Sequence, residues 1–169
     1  MFDCNFEADL CGWTQNTSDT FNWTRHLGAT SSYYTGPSFD HTMGNETGYY
    51  IFIEASTPQV EGDIARLYSP TVTANSTMCV RFWYHMYGMH MGTLNVYAQT
   101  GSTLPEVPIF NRIGRQGDQW IQAEVEINIS STYQVVMEGI RGPGFRGDIG
   151  LDDISIATGS CAKGTFALD

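Results

Sequence analysis

Thr93-Leu94-Asn95-Val96-Tyr97-Ala98-Gln99-Thr100 is the stretch that decides the fold. Leu94, Val96 and Ala98 alternate with Asn95, Tyr97 and Gln99, the period-two pattern of a strand with one apolar and one mixed face. Ala123, Val125 and Ile127 alternate in the same way with Glu124, Glu126 and Asn128. Outward from these two segments the chain continues as short β-branched and aromatic runs cut by Gly, Pro, Asn, Asp and Ser. The runs are Asn5–Glu7, Trp13–Thr14, Trp23–His26, Tyr49–Glu54, Asp63–Tyr68, Met78–Tyr87, Thr93–Thr100, Pro108–Ile113, Trp120–Ile127, Tyr133–Ile140 and Gly150–Ala157. Helical periodicity is almost absent. So many short strands with no helix-sized gap between them predict an all-β antiparallel sandwich or barrel.

The 169 residues suit one domain with a real core. The expected division is a domain over residues 1–161, followed by a tail at 162–169 read as a linker or expression remnant. Met1 stands just before Cys4, as though at a domain boundary cut from a longer secreted chain. Lys and Arg number 8 against 18 Asp and Glu, a net charge of -10. With no basic stripe to displace counterions, nucleic acid and anionic membrane surfaces are poor partners. No apolar stretch reaches the roughly 18 residues of a membrane span, which argues against direct insertion.

The secretory pathway is argued more directly. Asn16, Asn22, Asn45, Asn75 and Asn128 each begin an Asn-x-Ser/Thr sequon, and the 4 cysteines can pair completely. An extracellular location follows as the expectation, secreted or on a membrane protein's ectodomain. Cys4, Cys11, Cys79 and Cys161 allow three connectivities. Zinc is disfavoured, because no Cys-x-x-Cys pair or suitably spaced His accompanies them.

In order and spacing, the residues resemble the MAM family, the extracellular modules of meprins, neuropilins and mu-type receptor tyrosine phosphatases. The matching elements run from Cys4-Asn5-Phe6-Glu7 and Leu10-Cys11-Gly12-Trp13, through Asn22-Trp23, Gly36-Pro37, Asp40-His41-Thr42 and Gly48-Tyr49-Tyr50. They continue with Ala65-Arg66-Leu67-Tyr68-Ser69-Pro70, Cys79, Phe82 to Gly88 and Gly92-Thr93-Leu94. Gly117, Trp120, Val136-Met137-Glu138, Gly147 to Ile154 and Cys161 complete the set. The resemblance implies a jelly-roll sandwich of two antiparallel sheets, with disulfides Cys4–Cys11 and Cys79–Cys161. It also implies adhesion or receptor assembly, through other extracellular proteins and often a second copy of the same module. A carbohydrate-binding jelly roll is the alternative.

No enzyme signature is present: no Gly-x-Ser-x-Gly elbow, His-Glu-x-x-His, phosphate loop or lone reactive cysteine. Asp152 and Asp153 would point to opposite faces unless a bulge intervenes. Glu7, Asp9, Asp40, Asp152 and Asp153 are the candidate ligands of a structural calcium ion. Calcium takes six to eight oxygens, and a jelly roll brings its first and last strands together. His85 and His90 flank a Met-rich tip that could take copper or zinc, but is more readily a packed or partner-facing surface. Arg146-Gly147-Asp148 spells the integrin tripeptide, though Gly147 and Asp148 already belong to the family pattern. Trp13, Trp23, Trp83 and Trp120 could form a sugar platform, and are expected instead in the core. For a partner-facing surface, the sequence directs attention to Met86–Met91 and Tyr33–Pro37.

Overall fold

A computed structural model describes residues 2–73 and 75–161, so the expected tail at 162–169 lies outside the described residues. The strands are β1 (Phe2–Cys4), β2 (Thr14–Gln15), β3 (Thr24–Leu27), β4 (Tyr49–Ile53), β5 (Ile64–Tyr68) and β6 (Met78–Met86). There follow β7 (Thr93–Gln99), β8 (Phe110–Ile113), β9 (Gly117–Ile127), β10 (Gln134–Ile140) and β11 (Ile149–Thr158). They form two antiparallel sheets, β3-β4-β11-β6-β9 with β1 also on β11, and β2-β5-β10-β7-β8. This is the jelly-roll sandwich expected.

One expected strand is displaced. Asn5–Glu7 is a turn, because Phe6 takes a left-handed φ of 58° and is fully buried. The turn is held by the Asn5 side chain accepting the Glu7 N–H and by the Cys4–Cys11 disulfide. The second disulfide joins Cys79 to Cys161.

The apolar faces of the alternating strands meet between the sheets. Leu94, Val96, Ala98, Ala123 and Ile127 pack there with Trp13, Trp23, Ile51, Phe82 and Leu151. The outward face of β7 is less mixed with solvent than alternation suggests, since Asn95, Tyr97 and Gln99 are all buried. Glu138 accepts from Arg66 Nε at 2.7 Å and Asn95 Nδ2 at 2.9 Å, while Asn111 donates to Asn95 at 2.7 Å. A buried carboxylate is tolerated because both of its oxygens are satisfied.

The other sheet is roofed. Residues 28–48, between β3 and β4, lie across its outward face and bury Tyr50, Phe52, His85 and Asp152 there. His41 stacks on Trp83 at 3.8 Å, and Trp120 donates its indole N–H to the Phe39 carbonyl at 2.9 Å. Gly150 makes room for this layer, since a Cβ on it would stand 2.8 Å from Pro37 Cγ and 3.1 Å from Trp120 Cη2. The four tryptophans therefore divide. Trp13 and Trp23 are core residues, whereas Trp83 and Trp120 are half-buried under the roof on the outward face.

Candidate functional site

Three connections converge at one end of the sandwich: part of the roof, the β6–β7 hairpin at 87–92 and the β10–β11 loop at 141–148. Their backbones bond to one another. Gly36 N donates to Tyr87 O at 3.0 Å and His90 N to Arg146 O at 2.9 Å. Arg146 N donates to His90 Nδ1 at 3.3 Å, and Asp148 N to Thr35 Oγ1 at 3.0 Å. Glycines permit the approach. A Cβ on Gly88, at φ 148°, would collide with the Arg146 carbonyl, and one on Gly144 with the His90 ring. Buried Arg141 fastens the neighbouring 54–63 loop by donating to Ala55 O at 2.9 Å.

This end, the tip, shows apolar groups to solvent on a fixed backbone. Tyr33 is 83% exposed and Met89 65%, with Tyr34 and Phe145 also exposed. The Arg146 guanidinium lies between two rings, 5.5 Å from the Tyr34 centroid and 5.4 Å from that of Phe145. Tyr, Phe, Met and Arg are the residue types enriched at protein interfaces. The two segments expected to face a partner thus meet here, but only Tyr33, Tyr34 and Met89 of them are exposed, and Met86, Met91 and Pro37 are buried. Sequence reasoning missed Phe145 and read Arg146 only within the integrin tripeptide; the available signal was an aromatic–basic pair inside Gly142-Pro143-Gly144-Phe145-Arg146-Gly147.

The integrin reading of Arg146-Gly147-Asp148 does not fit this geometry. Asp148 is fully buried, with Oδ1 accepting from Ala55 N at 2.8 Å and Oδ2 without a partner. Burial pushes its carboxyl up to about 7; the Ala55 N–H opposes this and the nearby Glu54 carboxylate adds to it.

The five carboxylates expected to hold calcium are distributed as hydrogen-bond acceptors. A bulge between Asp152 and Ser155 puts Asp153 at φ 45°, so Asp152 and Asp153 both reach the roof. Asp152 accepts from His41 N at 2.8 Å, and Asp153 contacts His41 Nδ1 at 2.6 Å and accepts from Thr42 Oγ1 at 2.8 Å. Burial and the adjacent Asp153 push the Asp152 carboxyl up to about 7. Asp40 accepts from Met43 N at 2.7 Å, and Glu7 from Tyr49 N at 2.9 Å. Asp9 stands apart in the Cys4–Cys11 turn, accepting from Cys11 N at 2.7 Å. Among the described residues no three carboxylate, imidazole or thiol groups stand close enough to share a metal ion.

The two tip histidines also separate. His85 is buried on β6 with Nε2 3.1 Å from Asp118, and burial holds its pKa below the usual value. His90 is occupied by Arg146 N. The sequon residues Asn22, Asn45, Asn75 and Asn128 are exposed and Asn16 is half-buried; none belongs to 31–37, 87–92 or 141–148.

The sequence model of the family described as "MAM domain, meprin/A5/mu" matches residues 4–162. The mouse MAM domain-containing glycosylphosphatidylinositol anchor protein 2 is 44% identical over 96% of this chain, which spans 18% of that relative. Among solved structures, the K1 cleaved adhesin domain of Lys-gingipain from Porphyromonas gingivalis has a TM-score of 0.67 at 14% identity, covering 94% of this chain and 98% of that one. The CBM22-1–GH10 xylanase 10B of Clostridium thermocellum has a TM-score of 0.59 at 12% identity, covering 97% and 29%. Identities this low speak for the fold alone.

Proposed function

The chain belongs to the MAM domain family, and on that premise we propose that it is an extracellular, non-catalytic adhesion module that recognises another protein with its tip. The observation carrying this reading is the exposed cluster of Tyr33, Tyr34, Met89 and Phe145 around half-buried Arg146, on loops locked by backbone hydrogen bonds. A fixed backbone lowers the ordering cost of binding, and such apolar exposure is otherwise a liability.

Position supports the same reading. Phe2 pairs with Ile156 and Cys161 is bonded to Cys79, so both described chain ends lie at the pole opposite the tip. In a longer chain the tip would face away from its tether. Among the described residues, no helix is long and apolar enough to cross a membrane. None of the sequon asparagines stands on a tip loop. The first partner to test is a second copy, because the cationic Arg146 at the tip suits a chain whose net charge is -10. A single such contact would be weak and would gain from arrayed copies.

The experiment uses beads coated densely with the glycosylated domain. Wild-type beads cluster, and beads carrying Met89→Ser with Phe145→Ser stay dispersed. If the two behave alike, the tip is not the adhesive surface.

A further inference from the structure

Beside the tip, on the outward face of the roofed sheet, two cavities of about 330 and 550 Å³ adjoin, with Ser38 and Asp118 lining both. Phe39, Trp120 and Gln119 line the smaller, and Tyr87 and Tyr33 the larger. The Trp120 ring is held in place. Trp120 is fixed through its N–H to Phe39 O and stands edge-on to His85 at 5.4 Å. Buried His85 in turn orients Asp118 through Oδ1 at 3.1 Å, while the Asp118 side chain stays 56% exposed, leaving Oδ2 for a ligand.

The charges around this groove narrow the ligand class. The Asp118 carboxylate disfavours an anion. The Arg115 guanidinium, 4.9 Å from the Tyr87 ring centroid, already occupies an aromatic face that a cation would seek. A neutral ligand remains, one with C–H faces for the rings and hydroxyls for Asp118, Gln119 and Ser38. A pyranose has both, and two adjoining cavities suit more than one unit. No sequon asparagine lines either cavity, so the protein's own glycans need not fill them.

We propose that this groove binds a neutral oligosaccharide, with Phe39 and Trp120 as stacking surfaces and Asp118 and Gln119 as hydrogen-bonding groups. The site adjoins the protein-contacting tip and shares Tyr33 and Tyr34 with it, but neither Met89 nor Phe145 lines it.

The test is saturation-transfer NMR and titration with neutral hexasaccharides of glucose, mannose, galactose and xylose. At least one hexasaccharide receives saturation from the aromatic protons. Asp118→Ala and Phe39→Ala each weaken its binding about tenfold or more, as expected for loss of a hydrogen bond to a charged group or of a ring contact. Phe39→Ala keeps the backbone carbonyl that holds Trp120, so it reports on the ring. Met89→Ser with Phe145→Ser leaves saccharide binding unchanged, and Asp118→Ala leaves bead clustering unchanged. The two readings therefore fail separately. Binding of none of the four sugars, or binding that survives both groove substitutions, overturns the proposal.

Discussion

The two poles of the sandwich are built by opposite means. At the far pole, where Phe2 and Cys161 lie, the chain is fastened covalently by Cys79–Cys161, and Asn75 and Asn128 line one polar hollow. At the tip no disulfide is present, and three connections are joined by backbone hydrogen bonds across glycines, with apolar rings outside. A covalent staple fixes topology but leaves the surface around it free to be polar and glycosylated. Backbone-on-backbone packing fixes the shape of a surface, which is what a recognition site needs. On the proposed reading, tether and contact stand at opposite ends.

The far pole carries the largest stability effect. Cys79→Ser with Cys161→Ser is expected to cost about 2–5 kcal/mol in urea unfolding, since the bridge closes a separation of 82 residues against 7 for Cys4–Cys11. Losing Cys4–Cys11 should cost less, and the reverse order would contradict the reading of the long bridge as the main staple. At the tip, Gly88→Ala meets both a positive φ and the Arg146 carbonyl. A loss of about 1–3 kcal/mol is expected from that strain. Gly101→Ala, in the β7–β8 connection with nothing within 4 Å, should stay within about 0.5 kcal/mol. Equal effects at the two glycines would mean that the tip is no more tightly packed than an ordinary loop.

A further effect should separate the tip by pH. Asp148 has its carboxyl raised to about 7 by burial, with Glu54 adding to the shift. A folded-state pKa above the unfolded value of about 4 gives stability that is fully present below pH 4 and lost as pH rises through 7. Asp148→Asn should remove that part of the decline, measured as the wild-type-minus-variant difference in unfolding free energy from pH 4 to 7. A difference that does not change with pH would show that Asp148 titrates normally.

Much of this architecture was legible beforehand. The alternations at 94–98 and 123–127 placed their strands and the inward face, because burial on one side of a sheet fixes the register. The displaced first strand was not legible: nothing local announces that Phe6 turns left-handed to fill the core. The outward faces were also hard to read. Period two says which residues leave the core, but not whether a 28–48 roof then covers them, as it does Tyr50 and Asp152. For the carboxylates, residue types could be counted, but not which oxygens backbone N–H groups from 41–49 would occupy. The tip was half legible, since Tyr33–Pro37 and Met86–Met91 stood out by composition. Phe145 and Arg146 joined them only through a loop distant in sequence.

The placement of the contact is tested most directly by a glycan wedge. Tyr33→Asn makes the local sequence Asn-Tyr-Thr, a sequon created by one substitution at a side chain that is 83% exposed. Beads carrying this variant, with glycan occupancy confirmed by mass and an unchanged melting temperature, should stay dispersed. Beads lacking the far-pole sequons through Asn75→Gln and Asn128→Gln should cluster like wild type. Clustering that persists with the glycan at Tyr33→Asn, or that disappears with the far-pole substitutions, would contradict the assignment of contact to the tip.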